Sequence, residues 1–426
     1  MKESGSQLKW RRLDNTANLF PVIANENLSN VFRVSATLKR PIDPELLQQA
    51  LDDVISWFDG FRVKLRRGFF WYYFETNRRR PLVEKEITYP CKYIDRHSNQ
   101  MFLFRVSYYD RRINLEGFHV ITDGMGAINF LKELTYRYLD LERAGGNAPA
   151  MTPSQDCILD VEDSYLKYYK KVPHRPYSTQ KAYQLKGHPL YLDTVSVIHG
   201  YVDLAGLKAA ARKHGVSITK YVAALLIWCI YQEYLNCQPC PQPICLNLPV
   251  NLRSFFESNT TMNFFAVTAI SFLSTGPNHT FEEMLSQVGK QMDEKITRER
   301  MEELISYNVS NEKKWYLRIT PLPLKWLGLN VTFRRSNRGT TLTLSNLGPI
   351  KVRPEYEEDI EQFHFVIGVS KRQKMKCGMS SYRDKMVVTF TSVLEETYLQ
   401  RAFFRELTKQ GIEVSIESNG VVNEKM

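Results

Sequence analysis

The chain has 426 residues, 43% hydrophobic and 24% charged, with a formal net charge of +11. That length exceeds one ordinary core and calls for two domains of about 200 residues each. No uncharged apolar run reaches the ~18 residues of a membrane span, and the start, Met1-Lys-Glu-Ser-Gly-Ser-Gln, has no apolar core for a signal peptide.

The expectation is therefore a soluble, cytoplasmic globule. Seven cysteines, an odd number, read as reduced thiols. Cys237, Cys240 and Cys245 lie close together beside three prolines, but without a second pair or a nearby histidine they do not make a zinc site, and no metal is expected. A basic surface favours nucleic acid, anionic lipid or a phosphorylated small molecule. The charges are scattered; only Arg78-Arg79-Arg80 and Lys371 to Lys376 look clustered, and no basic stripe interleaved with aromatics points to nucleic acid.

Val31 to Leu38 alternates polar and apolar residues as a half-buried strand does. Asp43-Pro44 starts a helix with apolar face Leu47, Ala50, Leu51, Val54, Ile55 and Phe58. Phe61 to Leu65 and Phe69 to Phe74 are strands joined at Arg66-Arg67-Gly68. Phe102 to Tyr109 and Ile113 to Phe118 form a hairpin turning at Asp110-Arg111-Arg112. A helix follows from Met125 to Leu139.

Between that last strand and helix stands His119-Val-Ile-Thr-Asp123-Gly124. Imidazole is the side chain best suited to proton transfer near neutral pH, so the spacing suggests a catalytic base with its support. A glycine there can take backbone angles other residues avoid. The same residues admit a plainer reading: a polar residue at a core edge, and an aspartate capping the next helix.

Glycines and prolines between 144 and 190 mark a domain connection. Ser196 to Val202 is a strand, Asp203 caps a helix ending near Gly215, and Ser217 caps a long apolar helix, Ile218 to Leu235. This echoes residues 31 to 58 and hints at two related domains. Strands are expected at Pro243 to Val250, Phe264 to Phe272, Thr340 to Ser345, Phe363 to Val369 and Met386 to Thr391, and a last helix at Glu395 to Lys409. Strands and helices mix without strict alternation, which predicts an α+β fold of mixed sheets covered by helices.

Asn247-Leu-Pro249-Val-Asn251-Leu-Arg253 and Thr341-Leu-Thr-Leu-Ser345-Asn346-Leu-Gly348-Pro349 each carry polar groups at a strand end. With the HxxxDG segment before them, in this order, they resemble the chloramphenicol acetyltransferase-like superfamily of CoA-dependent acyltransferases, wax ester synthases and condensation domains. Trp10 to Pro21 and Gly68-Phe-Phe-Trp-Tyr72 are similar to its bacterial alcohol acetyltransferase-like branch.

The resemblance implies two similar domains, 1–175 with HxxxDG and 176–426 with the other two motifs, meeting at a tunnel. It implies an acyl-CoA-dependent O-acyltransferase in which His119 is the base and Asp123 and Gly124 complete the motif. Arg253 would pair with Asp123. Ser345, Asn346 and Asn251 are candidates for holding an oxyanion or substrate. Acyl-CoA would be a co-substrate, with no tightly bound cofactor, and a small alcohol or amine the acceptor. Lys371, Arg372 and Lys374 are candidates for touching CoA. Many members carry two adjacent histidines, whereas Phe118 precedes His119, which weakens a peptide-condensation reading. The alternative is a condensation-type or non-catalytic binding member that uses a carrier-protein thioester or a protein partner. The superfamily contains monomers and trimers, which leaves the oligomeric state open.

Overall fold

The structure, a computed structural model, describes residues 10–26, 28–173, 180–191 and 194–421. The first half runs β1 (Trp10–Arg12), α1 (Phe20–Ile23), β2 (Val31–Leu38), α2 (Pro44–Val54), β3 (Val63–Arg67), β4 (Tyr72–Thr76), β5 (Val83–Lys85), β6 (Phe104–Tyr109), β7 (Arg112–Phe118), α3 (Gly124–Arg143) and α4 (Ser164–Lys167). The second runs β8 (Ser196–Asp203), α5 (Leu204–Lys213), α6 (Ile218–Glu233), β9 (Ile244–Asn251), β10 (Phe265–Phe272), α7 (Phe281–Lys295), α8 (Arg298–Lys313), α9 (Trp315–Ile319) and α10 (Leu322–Asn337). It ends with β11 (Leu342–Pro349), β12 (Ile360–Ile367), β13 (Met375–Tyr382), β14 (Lys385–Ser392), α11 (Tyr398–Lys409) and β15 (Val414–Ser418).

Local chemistry accounts for many of these ends. Asp43 accepts hydrogen bonds from the amides of Glu45 (2.8 Å) and Leu46 (3.2 Å), and Pro44 occupies the first turn of α2. Leu47, Ala50, Leu51 and Val54 then fall on one buried face. Asp203 and Ser217 cap α5 and α6 in the same way, and α6 is apolar all round because it is buried in the second core.

The described strands form three sheets. A five-stranded sheet has the order β12-β2-β7-β6-β5, a seven-stranded sheet the order β10-β9-β11-β13-β14-β8-β15, and a small sheet the order β1-β4-β3. Both larger sheets are mixed: β5 runs parallel to β6, and β11 runs parallel to both β9 and β13. Register places Val31 opposite Phe118, so His119 leaves the five-stranded sheet beside the start of β2.

One strand crosses between the halves. β12 pairs along its length with β2 (Phe363 opposite Ala36), although it lies far beyond residue 176. Ile360, Phe363, Phe365 and Val366 join the core built from residues 13–141. A boundary at 175/176 therefore divides the chain but not its cores.

Helices α7 to α10 fill residues 281–337, where the pattern above predicts nothing, and β13 begins inside the Lys371 to Lys376 stretch, two of whose cations it takes out of the loop or to its edge. Among the described residues, no single helix is long and apolar enough to cross a membrane.

Candidate active site

His119 follows the last residue of β7 and donates its backbone N–H to Asn30 O at 3.0 Å. Phe20 stacks on its ring at 5.2 Å, and Phe32 and Phe265 approach at 4.5 and 5.8 Å. The residue is half-buried and keeps some accessible surface. Burial among these rings pushes the imidazole down to about 4; Asp123 and Asn263 oppose the shift and Lys376 adds to it. At neutral pH the ring is uncharged.

Asp123 does not reach toward a substrate. Its Oδ1 accepts from the amides of Met125 and Gly126, each at 3.1 Å, and so caps α3. Its Oδ2 accepts from Arg253 Nη1 at 2.7 Å and from the Phe264 amide at 2.9 Å. Arg253 spends its other terminal nitrogen on the carbonyls of Thr260 and Met262, both at 2.8 Å. One buried ion pair thus joins the HxxxDG loop to the strand end of β9 and to the chain between β9 and β10.

Gly124 is the first residue of α3 with an ordinary helical backbone, so its value is not the unusual angles that its position suggests. A Cβ there would run into Leu347, and a Cβ on Gly126 would meet the backbone carbonyl of Thr261. Gly124 and Gly126 carry no side chain where the second half of the chain presses against the start of α3.

Asn251 accepts from the Arg253 amide at 3.1 Å and from Arg253 Nη1 at 3.3 Å, which makes it a support for the arginine. Asn346 donates to Thr219 Oγ1 at 3.1 Å and accepts from the Gly348 amide at 2.8 Å. It shares a strand face with Leu342 and Leu344, which pack on the second core, so both ends of its amide are engaged away from the motif. Ser345 lies on the opposite face with Leu347, the side chain that abuts Gly124. Asn251 sits opposite Phe265, the ring that approaches His119, so of the three candidates Asn346 is the one turned away from the motif.

The sequence pattern did not single out Asn263 or Asp14. Asn263 Nδ2 donates to His119 O at 2.8 Å and to Asp14 Oδ2 at 3.0 Å. Two acceptors on that side orient the amide, so Oδ1 faces His119 Nδ1 at 3.5 Å. An acceptor at Nδ1 favours the tautomer with hydrogen there and leaves the Nε2 lone pair free. Asp14 is fully buried and its carboxyl is pushed up to about 7 by loss of solvent, against hydrogen bonds from Ala17 and Asn263. No local sequence signal marks Asp14, which stands among Arg11, Arg12, Asn15 and Thr16, or Asn263, which follows Thr260 and Thr261.

A cavity of about 550 Å³ opens at the same end of the five-stranded sheet, lined in part by Ser29, Cys91, Lys92, Lys371 and Lys374. Lys371 and Lys374 thus border a space next to the Asn30–His119 corner, while Arg372 is exposed and not among the lining residues. Lys374 also donates to Leu185 O at 3.0 Å. Lys376, on β13, is pushed down to about 8 by burial. Cys237 and Cys240 pack against the second core and Cys245 is buried on β9. Among the described residues no group of three or more His, Cys, Asp or Glu side chains is arranged to hold a metal.

Solved structures of like architecture place this arrangement. No family model matches the chain, and no curated protein matches it in sequence. A trichothecene 15-O-acetyltransferase from Fusarium sporotrichioides aligns with TM-score 0.60 at 13% identity, over 96% of each chain. Polyketide synthase associated protein 5 from Mycobacterium tuberculosis aligns with TM-score 0.59 at 15% identity, over 93% of this chain and 96% of that one. The starter condensation domain of rhizomide synthetase, solved as a mutant with C8-CoA, aligns with TM-score 0.59 at 12% identity, over 94% and 95%. The chain has the condensation-domain fold. That is the two-domain, chloramphenicol acetyltransferase-like architecture its motifs resemble. Nothing in these comparisons singles out the alcohol acetyltransferase branch. In the condensation-domain fold of this chain, His119, Asp123 and Arg253 converge where the two larger sheets meet.

Proposed function

We propose that this chain moves an acyl group from acyl-CoA, used as co-substrate, to a hydroxyl or amine acceptor. The observation that carries the reading is a neutral, accessible imidazole whose Nε2 is left free by Asn263, held by a loop that an Arg253–Asp123 pair locks to the other half.

The acceptor attacks the thioester carbonyl carbon as its proton passes to His119 Nε2. The carbonyl becomes an oxyanion, and the Ser345 hydroxyl is the candidate donor to it. A donor so placed is commonly worth about 3 kcal/mol. The carbon–sulfur bond then breaks and the imidazolium returns its proton to the thiolate. No serine or cysteine nucleophile is required, so both substrates are bound together. A base pushed to about 4 by burial is weak before the reaction begins. The oxyanion adds a negative charge as it forms, so the ring gains basicity where the reaction needs it. Lys371 and Lys374 beside the cavity suit the phosphates of CoA.

The test is thiol release from acetyl-CoA and longer acyl-CoAs in the presence of alcohols and amines. Acceptor-dependent release that falls about 10²- to 10⁴-fold in His119→Ala is the expected result. Release without any acceptor would mean thioester hydrolysis. Release from a carrier-protein thioester but from no acyl-CoA would replace this reading with the condensation-type one.

A further inference from the structure

Helix α10 is built inside out. Its buried face holds Lys325, which is 6% exposed, donates to Phe70 O at 2.8 Å and lies 3.2 Å from the centre of the Trp71 ring. Its outer face holds Leu324, Leu327 and Val331, 62%, 59% and 42% exposed, in one stripe at spacings of three and four. Helix α9 adds Trp315 and Ile319, four residues apart and 71% and 59% exposed. A water-facing helix reverses this pattern, and large exposed apolar side chains lined up along a helix in this way mark an interaction surface.

The charge of the same segment says what it meets. From Lys313 to Arg338 there are seven lysines and arginines and no aspartate or glutamate. Lys313, Lys314, Arg318, Arg334, Arg335 and Arg338 are exposed around the apolar stripe. Apolar side chains with tryptophan and a mostly cationic rim, Glu312 at its edge being tied to Asn15, match the acyl–headgroup boundary of an anionic bilayer. A patch that met a second copy of the chain would bring one largely positive rim against another, which is repulsive.

We propose that α9 and α10 dock this protein on anionic lipid surfaces, lying in the interface without crossing it. The patch also sits close to the candidate site. Asn330 Nδ2 of α10 donates to Val22 O of α1 at 3.4 Å, and α1 carries Phe20, the ring stacked on His119. Docking would bring the α1 wall of the site to the lipid boundary, where an apolar acceptor or a long acyl chain resides. The lipid docking does not depend on the reaction proposed above.

The experiment is flotation of the full chain with phosphatidylcholine vesicles and with vesicles of phosphatidylcholine and phosphatidylglycerol, at low and moderate salt. Binding to the anionic vesicles about tenfold or more above the neutral ones, weakened by salt, is expected. It should be lost in Leu324→Ser/Leu327→Ser/Val331→Ser and reduced in Arg334→Glu/Arg335→Glu, with both variants keeping the unfolding midpoint of the parent. Quenching of Trp315 and Trp326 fluorescence by brominated lipid is the second expected signal. The proposal is overturned if the parent chain floats with neither vesicle, if the triple serine variant binds as well as the parent, or if the patch instead carries a dimer that the triple variant dissolves while vesicles stay unbound.

Discussion

His119 has three kinds of neighbour, and each sets a different property. The phenyl rings strip its water and keep it neutral, Asn263 chooses the nitrogen that carries hydrogen, and Asp123 holds the loop. A folded-state value of about 4 lies below the ordinary 6.5, so the unfolded chain takes up a proton between these values that the folded chain refuses. Acidification through that window therefore costs stability, whereas the ring stays neutral in the folded chain. We expect kcat/KM for acyl transfer to stay level from about pH 7.5 to about pH 5.5, with an acid limb near 4; a limb at the ordinary histidine value would contradict the burial argument. Asn263→Ala should lower kcat roughly tenfold, the worth of one hydrogen bond, and leave KM nearly unchanged. His119, Asp123 and Arg253 were legible because they sit in motifs with fixed spacing. Asn263 and Asp14 were not, since a hydrogen bond across 249 residues leaves no local pattern.

At the scale of elements, the N-terminus of α3 is where chemistry and packing meet. Removing the guanidinium in Arg253→Ala strands a buried carboxylate, and the expected loss is about 3–5 kcal/mol in chemical denaturation. Gly126→Ala should also destabilise, because its methyl group meets the Thr261 carbonyl, a backbone atom that cannot rotate away. Strands and helices with regular apolar spacing, such as β2, α2 and α6, appear in the structure within a few residues of their expected ends. Helix α7 was equally readable, with Thr280 as cap and Met284, Leu285, Val288 and Met292 on one face. Helix α10 was not, because its apolar stripe faces out and its lysine faces in, against the rule that makes a helix visible in sequence. Strand β13 was hidden by the basic residues that introduce it, and two of its own core residues are a glycine and a serine, Gly378 and Ser380.

At the scale of the molecule, the crossing of β12 decides how the halves behave. The strand buries Phe363 and Phe365 in the first core, while β13, which follows it after a short loop, lies at the centre of the seven-stranded sheet. Neither core can open without pulling on that connection. Phe403→Ala, a large-to-small change deep in the second core, should cost about 3–5 kcal/mol. It should shift one common unfolding transition seen by both far-ultraviolet circular dichroism and tryptophan fluorescence; two separated transitions would show independent halves. The five-stranded sheet also carries a buried charge cluster. Burial pushes Glu116 upward, but Arg33 and Arg105 more than offset it, so its folded pKa lies below the ordinary carboxylate value. Its contribution is present above that ordinary value and is lost as pH falls. Glu116→Gln should make acid unfolding shallower while lowering stability at neutral pH. Length and the 144–190 connection suggest two halves; the exchanged strand was not legible, because a strand's alternation does not say which sheet receives it.

The phenyl rings of Phe20, Phe32 and Phe265 have one more effect. In the proposed reaction a carbonyl seated against them would meet few stray water molecules, and an acceptor with its own apolar body would displace those that remain. Competition between the intended nucleophile and the solvent is then set by these side chains more than by the imidazole, which would deprotonate either. Opening that enclosure with Phe20→Ala should waste thioester on water and raise the ratio of free acid to acylated product, even where total thiol release hardly changes.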